Sequence, residues 1–451
     1  MLLFSNVPAQ DEAVSSRRLE PEDFQYLGAF RLPDGGERPL TFEYGGSAMT
    51  FNPQGDSNGA EDGFPGSLFI MGHDRMPYGE LPDGDQVAEV NIPAPTITGD
   101  VYSLNQAEFL QGFHEVDENR FTMLDEIPRI GLLYLDIPLL GPRIHITWGQ
   151  HFQDDPAYQP PSHAWFDPNL DAPNMQGGWF VGDYSLYSVT GYLFEIPADW
   201  AGQYSQGQLV ATGRFRDGGW SGMGPSLIAY HPCPDGCPQT EPPAARLPAT
   251  ALLLYENSTV TETFEHALTG YQHPDEWEGG AWITTSTGKT GVLFAGTKST
   301  GDKYWYGFVN PQGAEYPCVE GEMVGQFPIC RLADGALCPS ADLVECEGHT
   351  SGRGWWATRF DAQFILYDPA DFARVATGQM QTWEPQPYAV MDIDDHLFLN
   401  PDGIDLDVLG AGDQRHSRIG EVGYDRQHGL LYVLELFAED AKPVVHVWRV
   451  E

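Results

Sequence analysis

Ile419-Gly-Glu-Val-Gly-Tyr424, a turn at Asp425-Arg426, Leu430-Leu-Tyr-Val-Leu434 and then Val444-Val-His-Val-Trp448 form the stretch that decides the fold. Each run is short, rich in β-branched and aromatic residues, and bounded by turn residues, as strands are. Three strand types follow one another here, and a fourth, glycine followed by an aromatic, is missing. It stands at the other end of the chain, as Tyr26-Leu-Gly-Ala-Phe30. A β-propeller closes in this way: an N-terminal strand completes the last four-stranded blade and removes a free sheet edge.

The same types recur between the two ends. Glycine-led strands stand at 44–51, 129–135, 222–230, 278–283 and 419–424, and apolar second strands at 67–71, 143–148, 250–255, 292–295 and 430–434. Third strands, often ending in proline, stand at 87–93, 192–197, 364–369 and 444–448; fourth strands stand at 26–30, 109–113, 211–215 and 267–271. Two of the third type run on as matching Pro-Ala-Asp-Trp200 and Pro-Ala-Asp-Phe372. A sheet of this kind buries its faces only against its neighbours, so the recurrence predicts an all-β chain forming a single propeller over 24–450. Glycine-led strands count five blades, with long insertions near 152–188 and 310–358. The first insertion contains Gly178-Trp-Phe-Val-Gly-Asp183, which mimics a second strand; as a blade of its own it would bring the count to six or seven. A β-sandwich with irregular insertions is the competing architecture. Helical periodicity is scarce, and the candidate helices are single turns such as 197–200.

Composition narrows the function classes. The 451 residues carry 65 acidic and 23 basic side chains, a formal charge of −42, yet 41% are hydrophobic and 12% aromatic. That excludes a disordered acidic chain, and the field repels nucleic acid as a partner. An acidic coat of this size suits a saline environment, and equally a merely soluble acidic protein. No stretch approaches the roughly 20 apolar residues of a membrane helix. Residues 1–20 read as a disordered start or the tail of a signal peptide, with Val7 and Ala9 at cleavage-site spacing. Six cysteines, Cys233, Cys237, Cys318, Cys330, Cys338 and Cys346, fall in loops, which reads as three disulfides in an oxidising compartment; zinc is the rival, without a C-x-x-C pair to support it. The expected location is secreted, extracellular or periplasmic.

In a propeller the innermost strands start at one rim, and the loops after the second strands return to it. The residues converging there are the candidate site. Glu278, Glu421, His73 and His151 are the candidate catalytic groups. Glu278, beside Trp277, has the aromatic wall that raises a carboxyl pKa, and Glu421 or Glu43 would be its partner in a glycosidase pair. Glu43, Tyr44, Asp74, Arg75, Trp220, Trp277 and Lys298 are the candidate substrate-binding residues, with Gly72-His-Asp-Arg75 the densest run. Asp392, Asp394 and Asp402 lie in an oxygen-rich run that suits a hard cation such as Ca2+, although the spacing is not that of an EF-hand and in so acidic a chain a solvated loop is the better reading. The chain lacks G-x-S-x-G, H-E-x-x-H, a P-loop and a strand-borne G-x-G-x-x-G, so serine hydrolase, zinc protease and any nucleotide or organic cofactor are disfavoured.

The repeat and closure pattern resembles the propellers of secreted carbohydrate-active proteins, both glycoside hydrolases and polysaccharide lyases, over roughly residues 24–450 and at the level of architecture. The order of Tyr26-Leu-Gly-Ala-Phe-Arg-Leu-Pro33, the Gly-Gly strand and Gly-His-Asp is similar to that of uncharacterised secreted bacterial proteins, which supply no activity to carry over. The resemblance implies a glycan-active enzyme at the channel mouth. A hydrolase would use Glu278 with Glu421 or Glu43; a lyase would use His73 or His151 with a tyrosine, and Arg75 to neutralise a uronate. The alternative is a non-catalytic extracellular binding or surface-assembly propeller. Expected partners are a polysaccharide or another small extracellular ligand, with self-association open.

Overall fold

The computed structural model describes residues 17–56, 59, 62–73, 75–76, 79–80, 86–120, 128–138, 140–150, 160–214, 222–232, 245–257, 265–305, 323–324, 327–328, 330–331, 355–400 and 409–451. Strand β1 (Phe24–Arg31) belongs to the closing blade. The first blade is β2 (Met49–Asn52), β3 (Ser67–Met71), β4 (Gln86–Asn91) and β5 (Phe109–Glu115). The second is β6 (Pro128–Ile137), β7 (Gly141–Gln150), β8 (His163–Phe166) and β9 (Gln176–Val181), with Arg246–Leu247 added in parallel to β9. The third is β10 (Tyr192–Glu195), β11 (Val210–Gly213), β12 (Leu227–Tyr230) and β13 (Ala249–Leu253). The fourth is β14 (Glu276–Thr284), β15 (Thr290–Trp305), β16 (Trp355–Tyr367) and β17 (Ala389–Asp392). The fifth is β18 (Ile419–Asp425), β19 (Leu430–Glu439) and β20 (Lys442–Val450), completed by β1.

The chain is therefore an all-β, five-bladed propeller closed by its N-terminal strand. Closure is antiparallel from Phe24 opposite Val450 to Arg31 opposite Val444, with a bulge between Tyr26 and Gly28. Innermost strands β2, β6, β10, β14 and β18 contact one another in a ring. Five hydrophobic clusters fill the five gaps between blades, as stacked amphipathic sheets require. Helices α1 (Ala198–Tyr204) and α2 (Pro369–Ala376) start on the matching Pro-Ala-Asp runs. Among the described residues no helix is long and apolar enough to cross a membrane.

The count of five stands, but one frame moves. Run 222–230 supplies β12, the third strand of its blade, and 192–195 is the innermost strand. The insertion near 152–188 supplies β8 and β9, which finish the second blade; Gly178-Trp-Phe-Val181 is a fourth strand and not the core of an extra blade. Run 267–271 forms turns, with no strand. One strand role was gained and another lost, so the total survived.

Ahead of β1, Leu19 is buried, and its N–H donates to the Thr290 carbonyl at 3.3 Å. The cysteine sulfurs lie outside the described residues.

Candidate functional site

Two rims follow from the topology: a starting rim, where innermost strands begin, and a far rim, where they end. The connections 72–85, 116–127, 151–162, 254–275, 306–354 and 393–418 all join strands at the starting rim, and part of each lies outside the described residues. Long connections concentrate function, so this is the rim to test first.

At its axis Arg129, opening β6, donates through Nη2 to Glu278 Oε1 at 2.8 Å, and both side chains are buried to within 2%. Glu421 on β18 is fully buried beside them. Burial, above all, holds the Glu421 carboxyl well above the ordinary carboxylate range; the Val422 N–H opposes this and the charge of Glu278 adds to it. Glu421 Oε2 has no hydrogen-bond partner among the described residues. The structure thus brings Glu278 and Glu421 together, but beneath the surface and under an arginine.

The other candidates are also held. Lys298 Nζ donates to Asp275 Oδ1 at 2.9 Å and to the Ser299 carbonyl at 3.0 Å. Burial raises the Asp275 pKa, and Lys298 works against that. Trp277 is buried in the core between the third and fourth blades. Tyr44 is buried against Leu436 and Phe437, under the Arg38 guanidinium at 5.0 Å. Glu43 is half-exposed and paired with Arg38 at 3.1 Å. His73 is buried; its N–H donates to the Thr41 carbonyl at 2.7 Å and its Nδ1 lies 3.3 Å from the Glu43 carbonyl. Arg75 lies on a two-residue strand paired with Gly79–Glu80. Asp74, His151, Trp220 and Asp402 lie outside the described residues.

Asp392 and Asp394 meet Asp361, which sequence reasoning missed, with one ligand oxygen from each within 4.8 Å of the others. Asp361 is far away in sequence, on β16, so no local spacing signals it. Arg359 Nε donates to Asp361 at 2.7 Å and Arg418 Nη1 to Asp394 at 2.6 Å. Guanidiniums already engage two of the three carboxylates, and three described donors are few for Ca2+, which takes six to eight oxygens.

Cavities open at the far rim. On the axis a space of about 60 Å³ is lined by all five innermost strands, with Arg426 and Glu195 paired at 3.4 Å in its wall. Between the first and second blades lies a larger cleft of about 570 Å³. Glu89 on β4 is its centre: Oε1 accepts from Asn52 Nδ2 at 2.9 Å and Ser67 Oγ at 2.5 Å, and Oε2 from Gln111 Nε2 at 2.6 Å. Tyr134, on β6 and 9% exposed, lines the same cleft, and its hydroxyl is buried without a partner among the described residues. Burial, with Asp136 and Glu89 nearby, pushes that phenol up to about 12, so it is a proton-bearing donor at any ordinary pH. Leu110, Phe69, Pro142 and Pro168 supply apolar wall. The signal for Glu89 was present, as a single acid inside the apolar run Val87-Ala-Glu-Val90.

No protein-family model matches the chain, and no curated protein matches it.

Proposed function

We propose that this chain is an extracellular glycan-recognising propeller that binds a neutral sugar in the cleft between its first two blades. The supporting observation is Tyr134, which lines a cavity of about 570 Å³ and whose hydroxyl is buried without a partner among the described residues. A polar group stranded in this way costs about 1–3 kcal/mol, which a ligand hydroxyl in the cavity would offset. The volume is that of a small-molecule site. Glu89, with an acceptor position left over, suits sugar hydroxyls, and the Leu110 and proline surfaces suit the apolar face of a pyranose. Among the described residues no Lys or Arg lines the cleft, while Glu89 and Asp56 do, so an anionic ligand is disfavoured.

Calorimetric titration with neutral methyl glycosides and short neutral oligosaccharides tests this. Tyr134→Phe is expected to weaken binding about tenfold, on the order of 1.4 kcal/mol, while leaving the unfolding midpoint unchanged or raised. Absence of binding by the unmodified protein, or undiminished binding by the variant, would sink the proposal.

A second reading, glycoside hydrolysis, is favoured by the closeness of Glu278 to Glu421, whose carboxyl burial holds above the ordinary range, as the acid of an acid–base pair requires. Complete burial of both weighs against it. Turnover of a glycan panel that is lost in both Glu421→Gln and Glu278→Gln would restore it.

A further inference from the structure

Acids outnumber bases 65 to 23 in this chain, yet a cleft at the far rim inverts the ratio. It lies between the third and fourth blades, has a volume of about 780 Å³, and is lined by Arg17, Arg18 and Arg374 against a single acid, Asp368. The two helices that open on the matching Pro-Ala-Asp runs wall it: α1 brings Trp200 and Tyr204, and α2 brings Arg374. The repeated motif thus places two helices on one cleft.

The three guanidiniums differ. Arg18 is held by Asp368 at 2.6 Å, and Asp368 also caps α2 through the Ala370 N–H at 2.8 Å. Arg374 pairs with Asp371. Arg17 is exposed and has no ion pair among the described residues; its backbone is fixed by the Thr290 N–H, which donates to its carbonyl at 2.8 Å. In the same cleft the Trp200 ring is held against Trp282, with centroids 4.7 Å apart, and against Tyr204 at 5.2 Å. A fixed, half-exposed indole and a guanidinium without an ion pair among the described residues, lining one cleft, offer one flat apolar face and one planar fork for an anion. The fork matches a carboxylate with two parallel hydrogen bonds.

We propose that this cleft binds an acidic sugar, with its carboxylate on Arg17 and its ring against Trp200 and Tyr204. The chain's formal charge of −42 disfavours long polyanions, whereas a single uronate unit brings one charge to an arginine with no ion pair among the described residues. The assignment stands on the arginines and the indole. It does not use the neutral-sugar cleft, which lies between other blades, and either can fail alone.

Titration of the full chain with galacturonate and glucuronate, alongside galactose, glucose and inorganic sulfate at low salt, tests it. The uronates are expected to bind and the neutral sugars not to compete. Arg17→Ala should weaken uronate binding about tenfold with an unchanged unfolding midpoint. Arg17→Lys should lose most of the same affinity because the fork is gone. Trp200→Leu should weaken binding independently of Arg17. Equal binding of neutral sugars, equal binding of sulfate, undiminished binding by Arg17→Ala, or no uronate binding by the unmodified protein would each overturn the proposal.

Discussion

Arg129 and Glu278 meet at 2.8 Å with neither side chain reaching solvent. Removing one partner of such a pair strands the other charge in a low dielectric, which costs far more than the intact pair contributes. Arg129→Met is therefore expected to lose about 3–5 kcal/mol in urea unfolding, whereas Glu421→Gln, at a carboxyl whose ionisation burial disfavours, should cost less than about 1 kcal/mol. An equal loss in both variants would contradict that difference between the two sites. At this scale the sequence was half legible. It placed Glu278 and Glu421 at one axis from their positions at the heads of innermost strands. It could not show their burial, because Arg129, which covers Glu278, comes from another blade 149 residues away. Lys298 is a candidate substrate-binding residue by its place after a second strand, and the carboxylate that occupies it, Asp275, stands 23 residues earlier in a turn.

Innermost strands explain why the strand signature begins with glycine. A Cβ on Gly420 would lie 2.2 Å from the Gly46 carbonyl oxygen, and one on Gly131 would lie 2.8 Å from Tyr192 Cα. Neighbouring innermost strands approach backbone to backbone, and no larger residue fits. Gly420→Ala is expected to destabilise by about 1–3 kcal/mol through overpacking, read as a lower denaturant midpoint with an unchanged slope. The same signature misled in the third blade. Gly222 and Gly224 are needed because the backbone passes Tyr255, whose carbonyl oxygen and ring would lie 2.3 and 2.6 Å from their added Cβ atoms. A glycine forced by a tyrosine and one forced by a neighbouring strand look identical in sequence. The true innermost strand there, β10, is four residues long and reads like any other apolar run.

Closure by β1 makes the molecule one ring, and the closing blade is pinned by more than its ladder. The Glu435 carboxylate accepts from the Phe398 and Leu399 N–H groups at 2.9 and 2.7 Å and from His446 Nε2 at 2.8 Å, which leaves His446 Nδ1 to accept from the Tyr26 hydroxyl at 2.9 Å. This chain of bonds joins the first strand to the last blade. Over the whole ring a formal charge of −42 opposes compaction. Salt screens that repulsion within about 8 Å at 0.15 M. The unfolding midpoint should therefore rise as sodium chloride is taken from about 0.01 to 0.15 M, on the scale set by that screening length. A flat or falling midpoint would mean that the acids are already balanced locally.

The −42 charge, the all-β class, the blade count and the closing strand were determined by sequence alone, because turn residues, apolar runs and glycine positions act over a few neighbours. The tertiary structure decided which run is innermost in the third blade and that the axial glutamates are sealed. It also decided that the clefts with unmet polar groups, around Tyr134 and around Arg17, lie at the far rim. Burial and cavity walls sum contacts between residues more than a hundred positions apart, and no local pattern carries that sum.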